Sequence, residues 1–458
     1  MNETTERTET GRSRTTRRVF MKSALAGTAI AASALSHKRV HGANERVRVG
    51  LLGCGGRGRM VARSMTEHGV EITWACDVDE GRAGESCNLI AEGQDGRRPK
   101  FTKRFPEMFE ANDVDAVLIA TPDHWHAPAT ILACQAGKDV YVEKPHSHNI
   151  WESQKMVEAS RKYKRVVQVG TQNRSAAYNI AARKYIADGN LGHIPLVKTY
   201  NLKPGGPVKI GDPGVQPEGF DWDMWLGPAP DRPFHKGIWR PGWLFLWDFC
   251  GGDTGNDGIH QMDLTMMALG DPGLPKAVMS SGGNLAYPND DRETPDTQIT
   301  TFDFDNFVMT FEMTNYPPYM EKTTSTIRRK DLFPYWTQNA TRIEYYGSKY
   351  MMTLGRHGGG WQITEAGGRV HEQMYGRFPD PDHQADFVDA VKTRRAPNAD
   401  VAVAHNACLM VHMANIAYRL GNVKLRFDPE TERFIDNDAA NALLKRVYRA
   451  KYEIPENV

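Results

Sequence analysis

Three glycines near residue 50 are the first residues whose type and spacing indicate chemistry. Gly53, Gly55 and Gly58 follow the apolar run Val47–Leu52 and precede a stretch that is rich in Arg, Met and Ala. In a dinucleotide-binding turn the first glycine makes the turn, the second admits a pyrophosphate and the third lets the helix pack on the strand. The amides of the helix N-terminus would face the phosphates. The motif therefore predicts a dinucleotide site, although such spacing also occurs in ordinary turns.

A second candidate is Asp77, which ends a predicted strand over residues 70–76. It follows the glycines by about 20 residues, where a carboxylate accepts hydrogen bonds from an adenosine ribose. This carboxylate would repel a 2′-phosphate, so we expect NAD rather than NADP, although Arg82 nearby keeps NADP open. The alternative for Asp77 is a turn residue at a strand end.

Two further polar stretches follow apolar runs that predict buried strands. The first run, 114–121, leads into the segment Asp-His-Trp-His, and the second, 139–142, leads into Glu-Lys-Pro. In a parallel sheet, loops at the carboxyl ends of strands border the ligand crevice. The residues that we expect at this crevice are Thr121, Pro122, His124, Trp125, His126, Glu143 and Lys144. The two histidines lack an obvious third ligand nearby, so we expect no metal site.

A predicted helix from about Asn256 to Gly270 carries a third group of polar residues. The helical spacing of its apolar residues puts Asn256, His260 and Asp263 along one face, beside the apolar stripe. Such a face would bring His260 and its polar neighbours to a functional site. The alternative for His260 is a buried histidine that hydrogen-bonds to the backbone. Gln172 and Arg174 follow another predicted strand, over residues 166–170. They are candidates for hydrogen bonds to a polar ligand, although turn capping explains them nearly as well.

The elements that must position these residues fall into two domains. A chain of 458 residues exceeds the size at which a single core keeps growing. Strands alternate with helices over residues 44–165, which predicts a parallel sheet. Residues 166–458 contain period-two strands over 298–313, 342–346 and 351–354, followed by helices near 386–391 and 403–420. Five tryptophans within residues 201–250 indicate a long ordered loop, in which core packing is the default role and stacking on sugar rings the alternative.

The N-terminal 43 residues differ from the rest of the chain in charge. They hold eight Lys and Arg against three Asp and Glu, which leaves 49 basic and 53 acidic side chains in residues 44–458. That acidic balance argues against a nucleic-acid surface. The six cysteines show no CxxC pair, so we expect buried thiols and neither zinc ligands nor a disulfide scaffold.

Arg17 and Arg18, followed by the apolar run 23–35, resemble a twin-arginine signal. The resemblance implies that the twin-arginine machinery exports the folded protein to the periplasm or another extracytoplasmic space. We therefore assign residues 1–43 to a signal and linker. A disordered basic tail is the alternative, and an uncleaved signal that anchors the protein to a membrane stays open.

The glycine loop, Asp77, the Asp-His-Trp-His stretch and Glu-Lys-Pro together resemble the Gfo/Idh/MocA family of sugar and polyol oxidoreductases over residues 46–150. The resemblance implies an α/β fold: an N-terminal Rossmann domain and a C-terminal α+β domain with a large open, mainly antiparallel sheet, which often pairs into a homo-oligomer. It also implies a set of cofactor-binding residues: Gly53, Gly55, Gly56, Arg57, Gly58, Asp77, Thr121, Pro122, His126, Glu143 and Lys144.

The resemblance further assigns two catalytic residues. Lys144 corresponds to the active-site lysine near the nicotinamide and the substrate hydroxyl, and His260 to the general acid/base. Asn256 replaces a family aspartate that orients this histidine, so His260 should be less basic unless Asp257 or Asp263 supplies a carboxylate. The candidate substrate-binding residues are Gln172, Arg174, Asn256, Asp257 and Asp263.

Together with the export signal, the resemblance implies an exported NAD-dependent oxidoreductase that acts on a hydroxyl of a sugar or polyol. Because an extracytoplasmic space is not expected to supply free NAD, we expect the cofactor to be tightly bound. One alternative is a redox-neutral enzyme that cleaves glycosides through a keto sugar, as relatives do. The other is a non-catalytic protein that binds NAD or a sugar, which the Asn256 replacement suggests.

Overall fold

The computed structural model describes residues 46–458, so the predicted signal at 1–43 lies outside the described residues. Residues 47–458 form one compact unit. No helix in this part of the chain is long and apolar enough to span a membrane. All six cysteines are buried and free, as expected from their spacing.

The N-terminal domain is built on a six-stranded parallel sheet with the order β3-β2-β1-β4-β5-β6. Its strands are β1 (Val47–Leu52), β2 (Val70–Cys76), β3 (Lys100–Thr102), β4 (Ala116–Ile119), β5 (Asp139–Val142) and β6 (Val167–Val169). This is the Rossmann order: strands β1 to β3 are added toward one edge of the sheet and β4 to β6 toward the other. A crevice opens at the carboxyl ends of β1 and β4, where the order switches. The sheet includes β6 and so extends past the suggested boundary at residue 165.

Five helices connect the parallel strands and bury their apolar faces against the sheet. They are α1 (Gly56–Thr66), α2 (Glu80–Glu92), α3 (Phe105–Glu110), α4 (His126–Gln135) and α5 (Ile150–Lys162). Strands β4 and β5 are buried at every position, as parallel strands covered on both faces must be. Helix α1 begins at Gly56, within the glycine loop itself.

The C-terminal domain contains a ten-stranded sheet with the order β14-β13-β12-β11-β7-β10-β9-β8-β15-β16. Its strands are β7 (Leu196–Lys203), β8 (Ala277–Gly283), β9 (Thr297–Asp303), β10 (Val308–Asn315), β11 (Arg342–Tyr346), β12 (Met351–Gly355), β13 (Trp361–Thr364), β14 (Val370–Met374), β15 (Leu425–Asp428) and β16 (Arg433–Phe434). All neighbouring pairs are antiparallel except β7 and β10. The mainly antiparallel sheet is therefore confirmed.

One face of this sheet is covered by helices and the other is open. The remaining helices are α6 (Ala177–Ala187), α7 (Trp222–Leu226), α8 (Lys236–Trp239), α9 (Gly252–Asn256), α10 (Gly258–Ala268), α11 (Ser325–Arg329), α12 (Asp380–Thr393), α13 (Val401–Arg419) and α14 (Asp438–Ala442). Phe302 and Phe311 pack with apolar residues of α10 and α13 in one core cluster. Met279 and Ile299 point from the opposite face and are 45% and 52% exposed.

The tryptophan-rich segment between β7 and α9 folds into a small aromatic core. Trp222 stacks on Trp225 with ring centroids 4.7 Å apart, and Phe220 lies 5.1 Å from the ring of Trp239. The segment is therefore ordered, as its tryptophan content predicted.

The end of the chain returns to the Rossmann domain. Phe387 of α12 packs in the core cluster that includes β1, and Tyr448 and Val458 pack in a second cluster around β4 and β5. Both domains thus share buried contacts, and these contacts fix the position of the cleft between them.

Candidate active site between the two domains

The glycine loop has the geometry that its sequence predicted. Gly53 has a φ of +94°, a conformation that L side chains rarely adopt. A Cβ on Gly58 would lie 2.1 Å from the main-chain oxygen of Gly53, so only glycine lets α1 pack this closely on the turn. A Cβ on Gly55 or Gly56 would meet no atom within 4 Å. These two glycines therefore leave open space in front of the helix N-terminus.

That space belongs to a cavity of about 450 Å³, which we call the nucleotide cavity. Residues from the predicted cofactor set that line it are Gly53, Gly55, Gly56, Arg57, Asp77, Thr121, Pro122, His126, Glu143 and Lys144. Gly58 is the exception, because its role is to pack the helix. The Thr121 hydroxyl is buried without a hydrogen-bond partner. An open glycine cradle, a free hydroxyl and the Asp77 carboxylate fit a dinucleotide such as NAD.

Asp77 is held in the wall of the nucleotide cavity by main-chain amides. Its carboxylate accepts hydrogen bonds from the amides of Cys54, 2.7 Å, and Asp79, 2.9 Å. Burial raises the pKa of Asp77, and these two hydrogen bonds oppose the increase. Arg82 also lines the cavity, with its guanidinium over the ring of Trp239 at 5.3 Å. Asp77 and Arg82 thus both lie at the cavity, and the contact of Asp77 with a ribose stays a prediction.

The Asp-His-Trp-His stretch divides between the cavity and the core. His126 lines the nucleotide cavity, and its ring nitrogens lie 2.7 Å from the oxygen of Pro145 and 2.9 Å from that of Thr121. His124 is instead buried against the main-chain oxygen of Trp225, 2.9 Å away. Burial lowers the pKa of His124 to about 3. The expectation that His124 faces the crevice was therefore wrong.

Glu143 and Lys144 do not pair with each other through their side chains. Glu143 accepts a hydrogen bond from Nε of Arg57, 2.6 Å. Burial favours the neutral acid, but the charges of Arg57 and Lys144 hold the pKa of Glu143 below its ordinary value. Nζ of Lys144 donates to the main-chain oxygen of Asn256, 2.6 Å, and to its Oδ1, 3.1 Å. Asn256 therefore positions the lysine, where the sequence suggested that it would orient His260.

A second cavity of about 590 Å³, the His260 cavity, lies against the C-terminal domain. His260, Asp257 and Gln172 line it, and so do Lys144 and Arg57. Lys144 therefore belongs to both cavities, at the place where a nucleotide and a second small molecule would meet.

The helix that carries His260 differs from the one predicted. The apolar periodicity suggested one helix from Asn256, but α9 ends at Asn256 and α10 begins at Gly258. The break falls at Asp257, whose carboxylate pairs with Lys203, 2.9 Å, and with Lys322. Asn256, His260 and Asp263 consequently have different contacts and do not form one polar face.

His260 is buried, and its Nδ1 has no hydrogen-bond partner. Burial holds the pKa of His260 well below its ordinary value of 6.5, and the charges of Arg356 and Lys144 lower it further. Asp257 acts in the opposite direction and does not offset these effects. The imidazole is therefore neutral at pH 7 and is able to accept a proton.

Arg174 and Asp263, two of the predicted substrate residues, contact each other. The Nε of Arg174 lies 2.8 Å from Oδ1 of Asp263, and its Nη2 lies 2.9 Å from Asp271. Both members of the first pair are buried, and neither lines the nucleotide cavity or the His260 cavity. The structure thus keeps Gln172 as a candidate and assigns Arg174 and Asp263 to an ion pair that holds α10.

Some residues of the site were not found from the sequence. Arg356 and Arg328 line the His260 cavity, and Trp239 and Trp243 line the nucleotide cavity. The one sequence signal for Arg356 is its place between the end of β12 and three consecutive glycines, 358–360, which have positive φ angles. Within residues 46–458, no group of three or more His, Cys, Asp or Glu side chains is arranged to hold a metal ion.

The fold and the site define a two-domain dinucleotide-binding protein. Its Rossmann sheet carries an open glycine cradle, its second domain is an open-sheet α/β domain, and Lys144 lines the cavities of both. A family model described as the oxidoreductase family with an NAD-binding Rossmann fold matches residues 47–171. The model of that family's C-terminal alpha/beta domain matches residues 205–280 and 368–454. The chain belongs to the Gfo/Idh/MocA oxidoreductase family, and its N-terminal domain is the family's NAD-binding domain.

Curated relatives match only in part. A glycosyl hydrolase family 109 protein of Saccharopolyspora erythraea is 30% identical over 157 residues, which cover 33% of this chain and 34% of the relative. An inositol 2-dehydrogenase of Rubrobacter xylanophilus is 31% identical over 156 residues, which cover 33% of this chain and 43% of the relative. The aligned parts thus span less than half of these relatives.

Solved structures match over most of the chain. The WlbA dehydrogenase from Bordetella pertussis, in complex with NADH and UDP-GlcNAcA, gives a TM-score of 0.60 at 20% identity and covers 84% of this chain and 99% of its own. A levoglucosan dehydrogenase in complex with NADH and levoglucosan gives a TM-score of 0.61 at 17% identity and covers 83% of this chain and 99% of its own. At these identities the likeness establishes the fold.

Proposed function

We propose that this protein is an exported NAD-dependent oxidoreductase that acts on a hydroxyl group of a sugar or polyol. The observation that carries the proposal is the position of Lys144, which lines both the nucleotide cavity and the His260 cavity. A substrate in the His260 cavity would meet the cofactor at this lysine. The inositol 2-dehydrogenase relative supports a polyol or sugar as the substrate class.

Each side chain at the junction has a separate task. His260, which is neutral because burial lowers its pKa, accepts the proton of the substrate hydroxyl. Lys144 stabilises the negative charge that develops on that oxygen. Asn256 holds the lysine amine in place through two hydrogen bonds. Bound NAD would accept the hydride from the carbon that bears this hydroxyl.

The proposed location explains why the cofactor would be retained. A protein exported by the twin-arginine route folds and loads its cofactor before export, and no NAD pool is expected outside. Trp239 and Trp243 of the aromatic segment line the nucleotide cavity, and so add apolar contacts that slow release. Changing both Arg17 and Arg18 to lysine should keep the protein in the cytoplasm, as fractionation of the cells would test.

A second candidate is redox-neutral cleavage of a glycoside through a keto sugar at the same site. The relative named as a glycosyl hydrolase family 109 protein favours it. The two candidates differ in the fate of the electrons: the oxidoreductase keeps reduced NAD until a second substrate accepts the hydride, whereas the redox-neutral enzyme returns the hydride within each turnover.

Stopped-flow absorbance at the NADH band separates the two candidates. The purified protein is mixed with candidate sugars and glycosides, and the band and the products are followed together. A stable NADH band that decays only when a second sugar or ketone is added supports the oxidoreductase. Release of a glycoside's leaving group with no external acceptor and no lasting band would refute net oxidation and support the second candidate.

A further inference from the structure

The wall of the His260 cavity carries an excess of positive charge. Five cationic side chains line it against two carboxylates. The cations are Arg57, Lys144, Arg328, Arg329 and Arg356, and the carboxylates are Asp257 and Asp380. Such a wall, in a partly enclosed space, favours an anionic ligand.

Both carboxylates of this wall already have cationic partners. Arg57 lies between Glu143, 2.6 Å, and Asp380, 3.5 Å. Asp257 pairs with Lys203, 2.9 Å, and with Lys322, two lysines that lie outside the wall. The negative charges are thus matched before the remaining arginines are considered.

Arg356 is the most deeply buried of these cations and has no close acceptor. It is 4% exposed, its Nε has no hydrogen-bond partner, and the nearest carboxylate oxygen recorded for it, on Asp257, is 3.8 Å away. Burial lowers its pKa to about 10, with Asp257 opposing the effect. A buried guanidinium without a close acceptor is costly unless a ligand supplies one.

Arg328 adds a second donor beside it. Its Nε donates to the main-chain oxygen of Thr323, 2.7 Å, and within residues 46–458 it forms no ion pair with a carboxylate. Burial lowers its pKa as well. Arg328 lies on α11 and Arg356 follows β12, so two separate elements direct guanidinium groups to one cavity.

We propose that the substrate is an acidic sugar, whose carboxylate or phosphate group binds to Arg356 and Arg328 while its reacting hydroxyl lies at Lys144 and His260. A guanidinium suits either anion, because its N–H groups match a pair of anionic oxygens. The inference rests on the proposed function, since it names the substrate class of the same site.

Calorimetry and turnover with matched sugars test this proposal. The NAD-bound protein is titrated with glucose, glucuronate and glucose 6-phosphate, and with the same compounds in the galactose series. We expect an acidic sugar to bind on the order of 100-fold more tightly than its neutral counterpart, as a buried charge pair provides. Whichever acidic sugar binds more tightly, the uronate or the sugar phosphate, shows whether the site prefers a carboxylate or a phosphate. A raised salt concentration should weaken the binding of the acidic sugars and leave the binding of the neutral sugars unchanged.

The variants Arg356→Gln and Arg328→Gln locate the anion site. Each should raise KM for the acidic sugar by roughly 30-fold or more and should lower the ratio of kcat/KM between the acidic and the neutral sugar by a similar factor, which cancels any effect of the substitution on His260 itself. Arg369→Gln, at an exposed ion pair with Glu365, is the matched control. Arg328→Gln is the second variant in case loss of the buried Arg356 impairs folding.

The outcomes separate this inference from the proposed function. Equal binding of acidic and neutral sugars, or acid binding unchanged in both arginine variants, would overturn the inference while NADH formation stands. Tight, arginine-dependent binding of an acidic sugar without NADH formation would support the anion site and count against the oxidoreductase.

Discussion

Lys144 is the residue on which the proposed chemistry depends most. Its amine is fixed by Asn256 and borders both cavities. Lys144→Met removes the charge that stabilises the substrate oxygen, so we expect turnover to fall on the order of 100- to 1,000-fold, with NAD still bound. Steady-state kinetics and nucleotide content measure the two effects. Lys184→Met, at an exposed pair with Asp188, is the control, and unchanged turnover in Lys144→Met would refute the assignment.

The burial of His260 determines how the activity depends on pH. Because burial and neighbouring cations hold its pKa below 6.5, the imidazole stays neutral as the pH falls through 6.5, and activity is lost only at lower pH. We expect the acid limb of kcat/KM to have its midpoint below pH 6.5. His260→Asn should remove this limb and lower the rate, whereas His193→Asn, at an exposed histidine, should change neither. A midpoint above 6.5 would contradict the proposed environment.

Part of the site was predictable from individual residues, because those residues lie in local motifs. The glycine loop, Asp77 and Lys144 follow strands directly, so their place at the crevice followed from the sheet alone. The contact between Arg174 and Asp263 joins residues 89 positions apart, and Arg356 follows β12, which is distant in the sequence from the other site residues. No periodicity encodes such contacts, so the sequence assigned Arg174 and Asp263 to substrate and missed Arg356.

At the scale of elements, the glycine loop offers a matched pair of substitutions. Gly55→Ala adds a Cβ to the nucleotide cavity, where no protein atom lies within 4 Å. We expect unchanged stability and roughly tenfold weaker NAD binding, since the methyl group occupies space that the phosphates need. Gly58→Ala places a Cβ 2.1 Å from the oxygen of Gly53 and should cost about 1–3 kcal/mol of stability.

Denaturant unfolding and the nucleotide content of the purified variants distinguish the two glycines. If Gly55→Ala unfolds earlier and Gly58→Ala does not, the structure of the loop is wrong. If Gly55→Ala retains NAD as tightly as the parent protein, the phosphates do not lie in this cradle.

Apolar patterns predicted β1, β2, β4, β5 and β6 of the parallel sheet and β9 to β12 of the large sheet, but not the interruption at Asp257. Ile259, Met262 and Met266 are buried at helical spacing, and this regular pattern predicted a longer helix. The break falls at Asp257, which pairs with Lys203 of β7 and with Lys322, in the segment between β10 and α11. These contacts join residues that are far apart in the sequence, and apolar periodicity does not encode them.

At the scale of the whole molecule, we expect two or more copies of the chain to associate through the open face of the large sheet. Met279 and Ile299 lie on this face and are about half exposed. Light scattering should give a mass that is a multiple of the chain's 51.4 kDa. Ile299→Glu should shift it to the monomer, because a charge buried in an interface lacks a partner. Val215→Glu, at a residue 93% exposed, is the control. A monomeric parent protein would refute this prediction.

The central claim is that a hydride passes from a substrate carbon to NAD held between the two domains. The most direct test is the mass of the nucleotide released on denaturation, after incubation with a carbon-deuterated form of a sugar that the protein converts. We expect about one NAD(H) per chain, with deuterium in the reduced cofactor of the parent protein and little in that of Lys144→Met. Conversion of the sugar with no nicotinamide nucleotide released, or with none that carries deuterium, would contradict it.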